Sequence, residues 1–364
     1  MKIVIMSTVI IPRDAIGHDV TRLYSLLDGP HEPVLYGDLV EFDALRRVDR
    51  PQVELLLADP STIAIYHHSI HWPDGEALID AARARVVFRF HNITPPRFFA
   101  PHDVDYTRCC QEGRDQTRRL MHRHPEALWL ADSTFNIEEG GLAGLSHVEV
   151  VPPFNNADAW RSIAPDAEVL QSLAARGGVH LLFVGRMAPN KGHRFLLDVV
   201  SDYRRHYDEP VTLHVTGRRD VRLESYNSEM DRLVVERGLQ DSVHWVDSLS
   251  DAQLLAYFTG CDMYVSCSEH EGFCVPVVEA QSLGLPVMAR DCGAVAETLA
   301  AEQLLLGDDP ADYSAALRVL WLNPSYREYL GAAGKRNYTR RFTETVIAGH
   351  LAEAVATHLG EDLW

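Results

Sequence analysis

Two acidic residues, Glu271 and Glu279, are separated by seven residues in the run Ser268-Glu269-His270-Glu271-Gly272-Phe273-Cys274-Val275-Pro276-Val277-Val278-Glu279-Ala280. Gly272 permits a backbone turn that other residues resist. Pro276 suits the start of a helix, where a missing N–H costs little, and Gly284 with Pro286 ends that helix. The free N–H groups at such a helix start attract an anion such as phosphate. Helical side chains lean toward the N-terminus, so Glu279 reaches a ligand held there, while Glu271 lies in the preceding loop. Two acids beside an anion site make chemical sense when the ligand also presents hydroxyls, because carboxylates accept hydrogen bonds from them. The plain alternative is a capped surface helix.

A second run, Phe183-Val184-Gly185-Arg186-Met187-Ala188-Pro189-Asn190-Lys191-Gly192, puts two cations in the loop after a strand that ends at Gly185. Arg186 and Lys191 can neutralise a diphosphate. The spacing is not a Walker loop, since no glycine precedes the lysine and no Ser or Thr follows it. Two basic loop residues alone are more often surface charge; together with the acidic run they read as one site. His91 stands just past the strand Val86-Phe90 and before Thr94-Pro95-Pro96, a position that faces a ligand, although an isolated histidine there is more often structural. His67, His68 and His71 follow Ile63-Tyr66. No acid or cysteine accompanies them, so they read as lining of a ligand cleft rather than a metal site. Asp103-Val104-Asp105 mimics a metal-binding DxD pattern but follows no apolar strand, and is read as a surface coincidence.

These residues need strand ends and helix starts to carry them. Further candidate strands are Ile3-Met6, Leu128-Ala131, Val148-Val151, His180-Val184, Thr212-Thr216, Val243-Val246, Met263-Ser266 and Pro286-Ala289. Several are continuously apolar, as strands buried on both faces of a parallel sheet are. The intervening segments carry helical spacing, as in Leu254-Leu255-Tyr257-Phe258, so the chain reads as doubly wound α/β. The stretch Val151-Pro152-Pro153-Phe154-Asn155-Asn156 is a natural linker. The expected domains are 1-155, joined by a final helix at about 344-364 that packs back on it, and 156-343. Ligands of open α/β sheets bind beyond the carboxyl ends of the strands.

The EGFxxPxxEA pattern, with GLPV and then Gly293 and Glu297 downstream, resembles the signature of the family 4 retaining glycosyltransferases of the GT-B fold. The Gly185-Arg186 to Lys191-Gly192 run resembles that family's GRxxxxKG element. The resemblance covers most of the second domain and is thin over the first. It implies an α/β GT-B architecture, two Rossmann-like domains facing across a cleft, and transfer of a hexose of mannose, glucose or galactose type from a GDP- or UDP-sugar. It implies that Arg186 and Lys191 bind the leaving diphosphate, Glu271 orients sugar hydroxyls, Glu279 holds the ribose and His91 approaches the donor sugar. The implied donor-contacting set extends to Gly185, Gly272, Phe273, Cys274 and Val275, with the base near Val246 to Leu249. Family members often place a glycine-rich turn after the first strand; here Gly17 is its one counterpart. Cys274 stands where family members commonly carry glycine, and is read either as narrowing the sugar pocket or as neutral packing. No cofactor or metal is expected. The acceptor is expected to be a saccharide or lipid-linked saccharide in envelope polysaccharide synthesis.

Composition agrees with a folded globular protein. The chain has 364 residues, 46% apolar and 24% charged, enough for two cores. A net charge of -18 argues against general nucleic-acid binding. Between Arg83 and Arg123 nine arginines face four acids. The favoured reading is a solvated helix and loop; the other is contact with an anionic acceptor or a membrane surface. Six cysteines without a CxxC pair fit a reduced, cytoplasmic location, with the inner face of the membrane as its expected extension. No apolar run reaches the length of a membrane span. Two rival readings remain at this point: a nucleotide-sugar epimerase or hydrolase on the same fold, and a catalytically silent binding subunit.

Overall fold

The computed structural model describes residues 1–12 and 14–363. The chain forms two compact units, one of Met1–Pro96, Asp105–Asn155 and the segment from Glu344 onward, the other of Arg97–Val104 and Asn156–Thr343. The boundary at Asn155 falls in the Pro-Pro-Phe-Asn-Asn stretch. The segment Arg97–Val104 belongs to the second unit, although the sequence reading assigns it to the first.

The first unit holds strands β1 (Lys2–Met6), β2 (Val9–Ile10), β3 (Glu32–Tyr36), β4 (Leu39–Val40), β5 (Ile63–His68), β6 (Arg85–Phe90), β7 (Leu128–Ala131) and β8 (Val148–Val150). Six of them make one parallel sheet in the order β3-β1-β5-β6-β7-β8, and β2 with β4 forms a separate short pair. Continuous apolar runs such as Ile3-Val4-Ile5-Met6 are fully buried because helices cover both faces. The first helix, Ala15–Leu27, starts on Asp14, whose carboxylate accepts from the N–H groups of Ile16 and Gly17 at 3.0 and 3.1 Å. The last helix, Glu344–Leu359, buries Ile347, Leu351 and Val355 in the same core as Ile3, Leu23 and Ile65. An ion pair between Arg22 and Glu344 ties it to the first helix.

Asp19 and Arg89 form an ion pair with both side chains essentially sealed from solvent. Both carboxylate oxygens of Asp19 accept from the guanidinium, and Oδ1 also accepts from the Phe154 N–H at 2.8 Å. Arg89 donates in turn to the carbonyls of Pro152 (3.0 Å) and Val151 (3.4 Å). Burial alone would raise the Asp19 carboxyl, but Arg89, with His91 and His67, holds it down at about 2. The pair fastens the linker strand end to the first helix and to β6.

The arginine-rich stretch resolves into pairs. Seven of its nine arginines meet a carboxylate: Arg85 with Glu361, Arg89 with Asp19, Arg108 with Asp105, Arg114 with Glu139, Arg118 with Asp115, Arg119 with Glu76, and Arg123 with Glu76 and Asp80. Among the described residues no helix is long and apolar enough to cross a membrane.

The second unit holds β9 (Val179–Val184), β10 (Val211–Thr216), β11 (Val243–Val246), β12 (Met263–Ser266), β13 (Val287–Arg290) and β14 (Leu304–Leu306). All are parallel, in the order β11-β10-β9-β12-β13-β14. The winding reverses between β9 and β12. In a doubly wound sheet that reversal opens a crevice beyond the carboxyl ends of those two strands. Gly185 follows β9 and the Ser268–Glu271 loop follows β12, so both chemical motifs sit at the switch point.

Candidate functional site

At the switch point two loops are drawn together. Lys191 Nζ donates to both oxygens of Glu271, at 2.8 and 2.9 Å. Ser268 Oγ donates to Glu271 Oε1 at 2.7 Å. The Glu269 N–H donates to the Asn190 carbonyl at 2.8 Å, and the Asn190 amide to the His270 carbonyl at 3.2 Å. Gly192 has φ +69°, and a Cβ there would lie 1.9 Å from the Cys267 carbonyl oxygen, so only glycine lets the loops approach this closely. The Glu271 carbonyl is also held, accepting from the Ala294 N–H at 3.0 Å. The Glu271 side chain is 8% exposed and that of Lys191 21% exposed. An ammonium has three donors. With two on Glu271, Lys191 keeps one for a ligand oxygen.

The helix that follows is Val275–Leu283, with Pro276 in its first turn. Its cap, Cys274, is in the left-handed region at φ +72° and ψ +66°. A non-glycine residue there carries strain of about 1–2 kcal/mol. The thiol is buried in the core formed by Trp160, Leu182, Phe258 and Val277. The glycine that is common in the resembling family has a backbone reason at this position, and the cysteine side chain is core packing.

Glu279 lies in the same helix, 4% exposed. Asn156 approaches its carboxylate, with the backbone N–H 3.5 Å from Oε1 and the side chain as a further hydrogen-bond partner. Burial pushes its carboxyl up to about 7. The two acids of the motif are therefore in different electrical states: Glu271 is neutralised by an ammonium, and Glu279 shares its site with a proton near neutrality.

The other expected residues fall as follows. Arg186 and Gly185, half-buried, follow β9 in the same crevice. Gly272, Phe273 and Val275 are in the loop and helix start, with Phe273 edge-on to Phe342 at 5.7 Å. Val246 ends β11 and accepts from the Gly217 N–H at 3.2 Å; Leu249 lies in the exposed loop beyond it.

Two expectations need correction. Gly17 is a packing glycine: a Cβ would lie 2.0 Å from the Ile11 carbonyl oxygen, and its N–H is taken by the Asp14 carboxylate, which repels a phosphate. His67 and His68 do not line a cleft. They are the last two residues of β5, each 1% exposed, and point to opposite faces of the sheet. His68 Nε2 meets Thr117 Oγ1 at 2.8 Å, while His71 Nδ1 faces Glu112 at 3.0 Å.

His91 lies in the first unit, its side chain 6% exposed. Nδ1 meets Asp132 Oδ2 at 3.0 Å and Nε2 meets His67 Nδ1 at 2.9 Å. Asp19, His67 and His91 bring three ligand-capable atoms within 4.8 Å of one another. Arg89 already occupies the Asp19 carboxylate, and a hydrogen bond already joins the two rings, so the donor set fits a proton network better than a cation. Ser268 and Asn190 stand in the two motif runs without an assigned role, and Asp132 was not singled out; each is polar and stands within two residues of a strand end or a predicted cation.

Comparison with known proteins agrees with this geometry. Residues 170–337 match the family model described as glycosyl transferases group 1. The chain is 28% identical over 217 residues to the D-inositol 3-phosphate glycosyltransferase of Geodermatophilus obscurus, covering 56% of this chain and 47% of that one. It is 31% identical over 174 residues to the MMP alpha-(1->4)-mannosyltransferase of Mycolicibacterium hassiacum, covering 47% and 40%. The chain thus spans about half the length of these curated relatives. The crystal structure of Anabaena HepE in complex with UDP and glucose superposes with a TM-score of 0.78 at 15% identity, over 98% of this chain and 100% of that one. The chain has the GT-B fold. Its second unit carries the group 1 glycosyl transferase region, as its motifs led us to expect.

Two predictions follow from the two special residues of the helix. Cys274→Gly should melt above Cys274→Ala, the equivalent of about 1 kcal/mol, reversing the usual order, because only glycine relieves the left-handed strain. Differential scanning calorimetry of the two variants reads this. For Glu279 the folded value lies above the unfolded one, so the folded state holds an extra proton between them. The stability this gives is present below about pH 4.5 and is lost as pH rises to about 7. Relative to Glu279→Gln, the wild type should lose roughly 3 kcal/mol across that window. Denaturant midpoints of the pair at pH 5 and pH 8 measure it.

Proposed function

We propose that this protein is a retaining glycosyltransferase that moves a hexose from a GDP- or UDP-sugar to a saccharide or lipid-linked saccharide in envelope polysaccharide synthesis. The observation that carries the reading is the Lys191–Glu271 pair at the β9/β12 switch point, beside the start of the Val275–Leu283 helix. A cation held against a carboxylate, next to a helix start, offers one group for a diphosphate and one for sugar hydroxyls. The relatives' names, glycosyl and mannosyl transferases, support the class of reaction, and the HepE complex supports a nucleotide-sugar donor.

In this reading the bond between the anomeric carbon and the diphosphate oxygen breaks while the acceptor oxygen attacks from the same face. The departing phosphate oxygen takes the acceptor's proton. Arg186 and Lys191 stabilise the charge that develops on the diphosphate. Glu271 orients sugar hydroxyls, Glu279 accepts from the ribose, and His91 holds the sugar. The transfer needs no metal, and the enzyme works in the cytoplasm, at the inner face of the membrane when its acceptor is lipid-linked.

The test is turnover with a panel of GDP- and UDP-hexoses and saccharide acceptors, with the product anomer read by proton NMR. Wild type should give a product of the donor's own anomeric configuration. Lys191→Ala should lower kcat about 100- to 1000-fold, the usual effect of losing one such stabilising group. An inverted product would overturn the mechanism. Nucleotide released without transfer to any acceptor would favour a hydrolase, and no turnover of any donor would favour a silent binding subunit.

A further inference from the structure

At the carboxyl ends of the first unit's strands, five side chains form one buried chain of contacts. Arg89 clamps Asp19; Asp19 Oδ2 lies 3.6 Å from His67 Nδ1 and 3.7 Å from His91 Nε2; His67 Nδ1 lies 2.9 Å from His91 Nε2; His91 Nδ1 lies 3.0 Å from Asp132. The four elements that supply them are the helix Ala15–Leu27, β5, β6 with the residue after it, and the residue after β7. Asp19, His67, Arg89 and Asp132 are the titratable groups around His91, and His68 on the other face of β5 is near enough to interact with it electrostatically.

Counting protons assigns the tautomers. The Asp132 carboxylate accepts, so His91 carries its proton on Nδ1. One proton then lies between His91 Nε2 and His67 Nδ1. If His91 owned it, His91 would be an imidazolium, and His67 would need its own proton on Nε2. That nitrogen is buried, with no protein acceptor in reach. A buried N–H without a partner is rarer and more costly than an unfilled lone pair. His67 therefore owns the proton and donates it. Burial pushes His67 well below the ordinary imidazole range, in keeping with a neutral ring.

We infer that His67 is a positioning residue that fixes His91 as a neutral imidazole with its proton on Nδ1, by filling the Nε2 lone pair from behind. The inference rests on the proposed function only for its consequence, since His91 is the sugar-holding group in that reading. Two carboxylates flank the ring, and both favour a charged His91. The His67 N–H is what opposes them. The same Asp19 accepts from the Phe154 N–H, so the linker strand end and the tautomer of His91 share one anchor.

The test is the nitrogen-15 spectrum of histidine-labelled protein, with two variants. Wild-type His91 should show a neutral ring protonated on Nδ1 from pH 6 to 8. His67→Ala should turn it into an imidazolium near neutral pH, and His67→Asn, whose amide stands where Nδ1 stood, should restore the neutral form. In donor turnover, His67→Ala should lower kcat about tenfold below pH 7 with recovery at higher pH, while the donor KM changes less than threefold; His67→Asn should return the wild-type profile. A wild-type His91 that is an imidazolium, or protonated only on Nε2, overturns the inference without any variant, and so do His91 resonances left unchanged by His67→Ala. A His91→Ala enzyme with wild-type turnover would remove the reading of His91 in transfer, and with it the kinetic consequence, while the spectra decide the tautomer separately.

Discussion

The bidentate contact between Lys191 and Glu271 is the constraint on which the second unit's chemistry depends. It joins the loop after β9 to the loop after β12, the two strands between which the sheet reverses its winding. Without it, the two loops would carry one uncompensated charge each into a largely desolvated crevice, and breaking such a pair by removing one partner is costly. The surrounding parts serve the same closure. Gly192 lets the backbones meet, the Ser268 hydroxyl donates to Glu271, the Asn190 amide donates to the His270 carbonyl, and the Ala294 N–H holds the Glu271 carbonyl.

Two acids of one motif are given different properties by their surroundings. Glu271 has an ammonium and a hydroxyl against it, while Glu279 is buried beside the neutral Asn156. The first is held in an ion pair, and the second is pushed by burial to titrate at about 7. The first unit uses the opposite device. There a guanidinium accompanies the buried Asp19, and the carboxyl stays ionised far into acid. His67 beside it is pushed toward its neutral form for the same reason that Glu279 is pushed toward its protonated one: burial penalises charge unless a partner compensates it.

Much of this was legible in the sequence, for physical reasons that also explain the gaps. The parallel strands were readable because burial on both faces leaves continuous apolar runs, and Leu128–Ala131, Val243–Val246 and Met263–Ser266 lie where their composition puts them. Glu32–Tyr36 was not among the expected strands; it carries Pro33, which an edge strand tolerates, and it pairs with β1 alone among the sheet's strands. β5 was cut short at Tyr66 because two histidines look polar; burial keeps them neutral, and a neutral histidine tolerates a strand core. The motif glycines, acids and cations of the second unit were found because they are close in sequence and tied to strand ends. The Asp19–Arg89 pair and the pairing of the arginine-rich stretch were not, because their partners come from residues as remote as Glu76, Asp80 and Glu361. Gly17 was misjudged because a glycine needed for close helix packing looks the same in a sequence as one needed for a ligand.

The central claim is that a nucleoside diphosphate binds where Lys191 meets Glu271. Isothermal titration of the wild-type chain and of Lys191→Ala with UDP and with GDP tests it directly. One of the two nucleotides should bind the wild type at one per chain, with affinity at least tenfold weaker in Lys191→Ala, a loss of about 1.4 kcal/mol or more. Equal affinity in both proteins, or no binding of either nucleotide at millimolar concentration, would contradict the account.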